Sequence, residues 1–157
     1  MTKIDPKLDQ VFQETFNNWN GDRSSSHLKQ AIVLAEALGM SEKDLNKYFL
    51  QLYQSNRGFS TLLQKKALGI QYLVSDVYVD SDTTIEARLD YNYPMGVVVN
   101  TKVYDISERE AVGFVENILN EQLEGTEYTS LDVYSAFDIE GGFYVEGYIT
   151  LDYKVLL

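Results

Sequence analysis

Carboxylates and tyrosines recur at alternate positions through the second half of this chain, and no other side-chain pattern in it has the density to act on a ligand. Residues 1–71 hold 9 Lys/Arg against 7 Asp/Glu, net +2, whereas residues 72–157 hold 4 against 17, net −13. Within that half, Asp76, Tyr78, Asp80, Glu86, Asp90, Tyr104, Tyr134, Asp138, Glu140, Tyr144, Glu146, Tyr148 and Asp152 fall on one parity of their segments, opposed by Arg88, Lys102 and Lys154. Charges of one sign spaced within a Debye length of about 8 Å reinforce one another, repelling polyanions and drawing in basic proteins. Tyrosines between them offer flat contact area at small entropic cost.

Catalytic arrangements are poorly served. The single histidine, His27, stands near a helix start with no nucleophile motif to assist, and the chain has no cysteine, which excludes thiolate zinc sites and thiol nucleophiles. Asp80, Asp82 and Glu86 alternate like oxygen ligands, but the stretch lacks the glycine and the loop length of an EF-hand. Carboxylate pairs at glycosidase separation occur in any acidic sheet and so identify nothing. No phosphate-cradling glycine loop is present, since Gly141-Gly142 is a hairpin turn beside Glu140. The expectation is a protein that is not an enzyme and uses neither metal nor cofactor.

The elements that must position these residues change character near residue 72. Before it the apolar period is close to four. Asp5 and Pro6 open a first helix, with Ile4, Leu8, Val11, Phe12, Phe16 and Trp19 on one stripe. A second helix carries Leu28, Ile32, Leu34, Ala35 and Leu38 up to Gly39. A third is capped at Ser41 and carries Leu45, Tyr48, Phe49, Leu50 and Tyr53, and residues 59–69 add a fourth. After it the period is two, the mark of half-buried antiparallel strands over 73–79, 85–91 and 97–103. Ser107-Glu108-Arg109-Glu110 is a capping box for a helix with Ala111, Phe114, Val115, Ile118, Leu119 and Leu123, closed by Gly125. Two strands follow, one with Val133, Phe137 and Ile139 inward and one with Phe143, Val145, Ile149, Leu151, Tyr153 and Val155 inward. The predicted fold class is α+β: an all-helical segment of three to four helices, then an antiparallel βββαββ sheet with one helix on its apolar face. The division is a helical subdomain, 1–71, and an acidic subdomain, 72–157.

Register follows from parity, because a one-residue slip turns every side chain to the other face. Holding Ile139 and Phe143 on one side requires a three-residue loop at 140–142 and sets Tyr134 across from Tyr148. The same reasoning sets Asp76 across from Arg88 and Glu86 across from Lys102. The side turned away from the helix then displays the acidic, tyrosine-bearing set.

One short segment resembles the helix-turn-helix of DNA-binding repressors: Ala35, then Gly39 four residues on, then Leu45 six further. The resemblance covers about a dozen residues and implies that the second helix reads DNA through Lys43, Asn46 and Lys47, in a transcriptional regulator with a C-terminal sensing or dimerising domain, hence a homodimer. Its start, Glu42-Lys43-Asp44, lacks the basic excess that phosphate neutralisation wants, so nucleic acid is a poor partner. The favoured expectation is a binding protein that inhibits or sequesters a basic partner, a nuclease or another nucleic-acid-binding protein, through Asp76, Tyr78, Asp80, Asp90, Tyr134, Asp138, Glu140, Tyr144, Glu146, Tyr148 and Asp152. Small acidic anti-defence proteins of phages and mobile elements that act as nucleic-acid mimics, and toxin-immunity proteins, are of this physical type. A structural or assembly subunit is the third expectation. No apolar run approaches the roughly 18 residues a bilayer needs, and the opening Met1-Thr2-Lys3-Ile4-Asp5-Pro6 has no apolar core, so a soluble, cytoplasmic protein is expected.

Overall fold

The computed structural model describes residues 26–37, 39–55 and 57–156, together with Pro6 and Gln10. Of the first predicted helix, only Pro6 and Gln10 lie among these, and both are helical. Helices α1 (Ser26–Ala37), α2 (Glu42–Ser55) and α3 (Arg57–Val74) precede strands β1 (Glu86–Asp90) and β2 (Met95–Tyr104). Helix α4 (Glu108–Gln122), strands β3 (Ser130–Ile139) and β4 (Gly142–Leu151), and a 3-10 turn (Tyr153–Leu156) complete the order. Tyr153 and Val155, expected to continue the last strand, lie instead in that turn. The protein is α+β, with helices first and one antiparallel sheet after them.

Local signals account for the helix boundaries. Gly39 takes a positive φ of 86° after α1, and Ser41 Oγ accepts from the Asp44 amide at 3.2 Å while donating to its carboxylate at 2.9 Å, which caps α2. Ser107 accepts from the Glu110 amide at 3.3 Å and starts α4. Helix α3 runs to Val74, five residues past the expected end, because Phe59, Leu63, Ala67, Ile70 and Val74 form one buried stripe at helical spacing. The predicted strand 73–79 is therefore replaced by the end of α3, a turn, and an isolated bridge between Tyr78 and Thr84. Asp76 does not face Arg88; its amide donates to Ile85 O at 2.9 Å from a backbone with φ 62°.

The sheet has four strands in the order β1-β2-β4-β3, all neighbours antiparallel. Helices α3 and α4 share its apolar side, α3 over β1 and β2, α4 over β3 and β4. Two helices rather than one cover that face. Between the layers, Met95, Val97, Val99, Val103, Val145, Ile149 and Leu151 are buried against Ile70, Val74, Ala111, Val115 and Leu119 in a cluster that also includes Leu45, Phe49 and Leu52 of α2. Gly147 is closely packed: a methyl there would stand 2.8 Å from Val99 Cγ2, 3.4 Å from Asp132 O and 3.5 Å from Leu119 Cδ1 of α4. An aromatic knot ties the C-terminal turn to the helices, with Phe49 stacked on Tyr153 at 4.7 Å and tilted against Phe59 at 5.5 Å. Tyr93, in the loop before β2, packs on Tyr53 and Phe59 and accepts from the Tyr153 amide at 3.0 Å. No helix among the described residues is long and apolar enough to cross a membrane.

Candidate binding face

With α3 and α4 on one side, no described helix lies over the other side of the sheet. The pairing places its side chains in rows. Tyr104, Gly142 and Ile139 form the row nearest the β3-β4 turn; Lys102, Tyr144 and Phe137 come next, then Glu86, Asn100, Glu146 and Tyr134. Arg88, Val98, Tyr148 and Asp132 follow, and Asp90, Gly96, Thr150 and Ser130 end the face. Four carboxylates and two cations stand here, so the face is more aromatic than acidic.

Two registers differ from expectation, for different reasons. In the β1-β2 connection Asp90 pairs with Gly96 and encloses five residues, 91–95, so Glu86 pairs with Asn100 and not with Lys102; the shift is by two, and every side chain keeps its face. The β3-β4 connection takes two residues, Glu140 and Gly141, with Gly141 at φ 80°. Tyr134 pairs with Glu146 instead of Tyr148. Between Ser135 and Phe137 one extra residue bulges out of β3, and beyond a bulge the alternation inverts. Asp138, paired with Phe143, is thereby turned to the helix side, while Phe137 and Ile139 are turned to the open side.

That inversion builds an aromatic patch. Phe137 is 55% exposed and stacks flat on Tyr144, centroids 4.7 Å apart and planes 8° apart; Tyr104 (38%) and Tyr134 (48%) flank the pair. The carboxylates that do reach the face are mostly taken by tyrosines. Tyr134 Oη donates to Glu146 at 2.7 Å, and Tyr148 Oη donates to Asp90 at 2.9 Å, its ring lying over Gly96 where a side chain would collide. The other Asp90 oxygen accepts from the Asn92 amide at 3.1 Å. Tyr134 holds its proton more tightly than a free phenol because Glu146 accepts it; Tyr144 does so because of burial, then because of the charges of Glu146 and Glu86, which Arg88 opposes.

Tyr148 is pushed up to about 12, first by burial and then by the bond to Asp90 and its charge. A phenol whose folded pKa exceeds its ordinary 10.0 adds stability that is complete below pH 10.0 and disappears as the pH climbs through about 12. Tyr93 is shifted in the same sense, chiefly by burial. The Tyr148→Phe variant is therefore expected to lose one late-titrating phenolate from the ultraviolet titration and to unfold less steeply across that window. A wild-type titration in which every accessible tyrosine ionises at the ordinary value would contradict the bond to Asp90.

Several residues expected on this face are elsewhere. Asp76, Tyr78 and Asp80 lie in the 75–85 segment outside the sheet, and Asp80 is occupied in accepting from the Asp82 amide at 2.8 Å. Asp138 is reversed by the bulge, and Glu140 is in the turn. Asp152 is only 5% exposed: its carboxylate accepts from Thr129 Oγ1 at 3.0 Å and from the Lys154 amide at 2.8 Å, which makes it the cap of the 3-10 turn. Lys154 leaves the sheet and donates to Glu42. A row of phosphate-like charges is thus not formed. Phe137 and Ile139 are the face residues that alternation alone missed. A two-residue Glu-Gly connection, the shorter hairpin choice, would have demanded a bulge to keep Val133 inward.

The helix-turn-helix-like residues Lys43, Asn46 and Lys47 all lie on α2. They line a shallow groove of about 470 Å³ with Glu42, Leu50, Tyr93 and Pro94, so the loop before β2 stands beside the flank that would have to enter a DNA groove. No protein-family model matches the chain, no curated protein matches it, and no solved structure matches it.

Proposed function

We propose that this chain is a non-enzymatic binding protein that sequesters a basic protein through the open face of its sheet. Tyr104, Phe137 and Tyr144 form the apolar anchor, and Glu86, Asp132 and Glu146 supply the charge that selects a cation-rich surface. The observation that carries the reading is the Phe137–Tyr144 stack left in solvent. Apolar surface gains about 25 cal/mol per Å² when removed from water, so rings held flat and exposed are suited to burial by a partner. The net −13 of residues 72–157 steers basic molecules toward that face. A partner that uses the same basic surface for nucleic acid would be blocked by occupancy, without mimicry of a phosphate row.

The test is capture from lysate on the immobilised chain at low and high salt, beside the double variant Phe137→Ser/Glu146→Lys. Proteins of basic composition are expected to be retained at low salt, released at high salt and reduced on the variant by about tenfold or more, the effect of losing an interface anchor worth about 2 kcal/mol. Equal recovery on both chains, or retention of acidic proteins, removes the proposal.

A further inference from the structure

The two edges of the sheet are unlike. On β1, Gln71 Nε2 of α3 donates to Ala87 O at 3.0 Å. The 76–85 segment folds back beside it, with the Ile85 amide donating to Val77 O at 2.9 Å. The start of that edge is thus occupied. On β3, Ser130–Ile139 is ten residues long and pairs with β4 on one side; on its outer side no hydrogen bond to its backbone is made by another described residue.

Long open edges recruit other strands through their unpaired amides and carbonyls and are ordinarily blunted with lysine, proline, bulges or inward charges; on β3 the bulge and the inward Asp138 lie past Ser135, which leaves Ser130–Ser135 as regular open strand. The sequence of β3, SLDVYSAFDI, has neither lysine nor proline, and carries Asp132 and Asp138 instead. Pairing of β3 with its own copy would bring together two chains that each carry net −13 over residues 72–157, with Asp132 and Asp138 on each strand, which like-charge repulsion disfavours. The same carboxylates favour a cationic strand. From Glu110 to Tyr153 the chain has ten carboxylates and no lysine or arginine, so nothing on α4, β3 or β4 beyond that start opposes such a strand.

We infer that the β3 edge is a strand-addition site for an extended segment in which basic and aliphatic residues alternate. This rests on the binding-protein reading and names the form its partner takes. The main chain of the segment pairs with β3. Its basic side chains lie on the open side, beside Asp132 and over the rings of Tyr134 and Phe137, where carboxylate and ring face both attract a guanidinium. Its aliphatic side chains lie on the helix side, next to Leu131 and Val133, which are half-buried at the margin of the core.

The experiment uses the full chain and an alternating arginine-valine decapeptide, with two further versions, one N-methylated at every arginine amide and one at every valine amide. In a strand these two sets of amides point to opposite edges, so strand addition predicts that one version loses at least about tenfold in affinity while the other binds like the parent peptide. The parent is also expected to slow hydrogen exchange in residues 131–139. Equal binding of all three peptides, or protection elsewhere than β3, overturns strand addition while the salt-sensitive capture of basic proteins still stands. Absence of binding by every peptide overturns it as well, and loss of capture too would end the broader reading separately.

Discussion

Replacing Phe49 with alanine is expected to remove about 3–5 kcal/mol of folding stability, a large share of the roughly 5–15 kcal/mol that holds a domain together. Phe49 is fully buried, lies face to face with Tyr153 at 4.7 Å, and meets Phe59 at 5.5 Å. It is the point where α2 grips both α3 and the turn that follows β4. Truncation leaves a void that these rings cannot close without breaking the bond from the Tyr153 amide to Tyr93, so the cavity cost adds to the lost transfer energy. Equilibrium denaturation would measure it, with Phe49→Leu as the milder comparison. A loss below about 1 kcal/mol would mean that the knot is not a principal tie.

Gly142→Ala is expected to cost at least about 1–3 kcal/mol and to disturb the binding face as well. A methyl group at Gly142 would stand 2.1 Å from the Val103 carbonyl oxygen and 2.9 Å from Tyr104 Cα. Both are backbone atoms, so no side chain can swing away; β2 and β4 must part at the end of the sheet where Tyr104, Ile139 and Phe137 gather. The lower melting temperature should therefore come with weaker capture of basic proteins. Gly113→Ala is the matched control: it lies inside α4 with open space around the added methyl, and is expected to raise stability by about 0.5–1 kcal/mol. If the two alanines behave alike, the close approach of the strands is not what requires glycine at 142.

Element type was legible wherever one short-range signal acted alone. Ser41 with Asp44 and Ser107 with Glu110 announce the starts of α2 and α4, and these caps form as hydrogen bonds. The apolar stripe Ala111, Val115 and Leu119 is the buried line of α4. Two signals competed at residues 70–79, where Ile70 and Val74 continue a helical stripe while Leu73, Ser75, Val77 and Val79 alternate. The helix prevailed because its stripe closes on an existing core, whereas a fifth strand would have had to find a partner edge.

The candidate site was legible in kind but not in arrangement. Parity correctly assigned Tyr104, Tyr134, Tyr144, Glu146 and Tyr148 to one side, since a shift of two residues between strands leaves faces unchanged. A bulge is a shift of one. It exchanged Asp138 for Phe137 and Ile139, and so turned a predicted row of acid into an aromatic patch rimmed by acid.

Composition and periodicity on their own establish the helical first part, the half-buried strands and the concentration of acid after residue 72, because each depends only on neighbours along the chain. Loop length, the bulge at 136, the burial of Asp152 and the occupation of the start of one sheet edge but not of the other depend on contacts between residues far apart in the chain. Asp152 meets Thr129 and Ala87 meets Gln71 only once the layers have packed. Those long-range contacts determine which of the many carboxylates and rings stand together on a surface, and hence what that surface can hold.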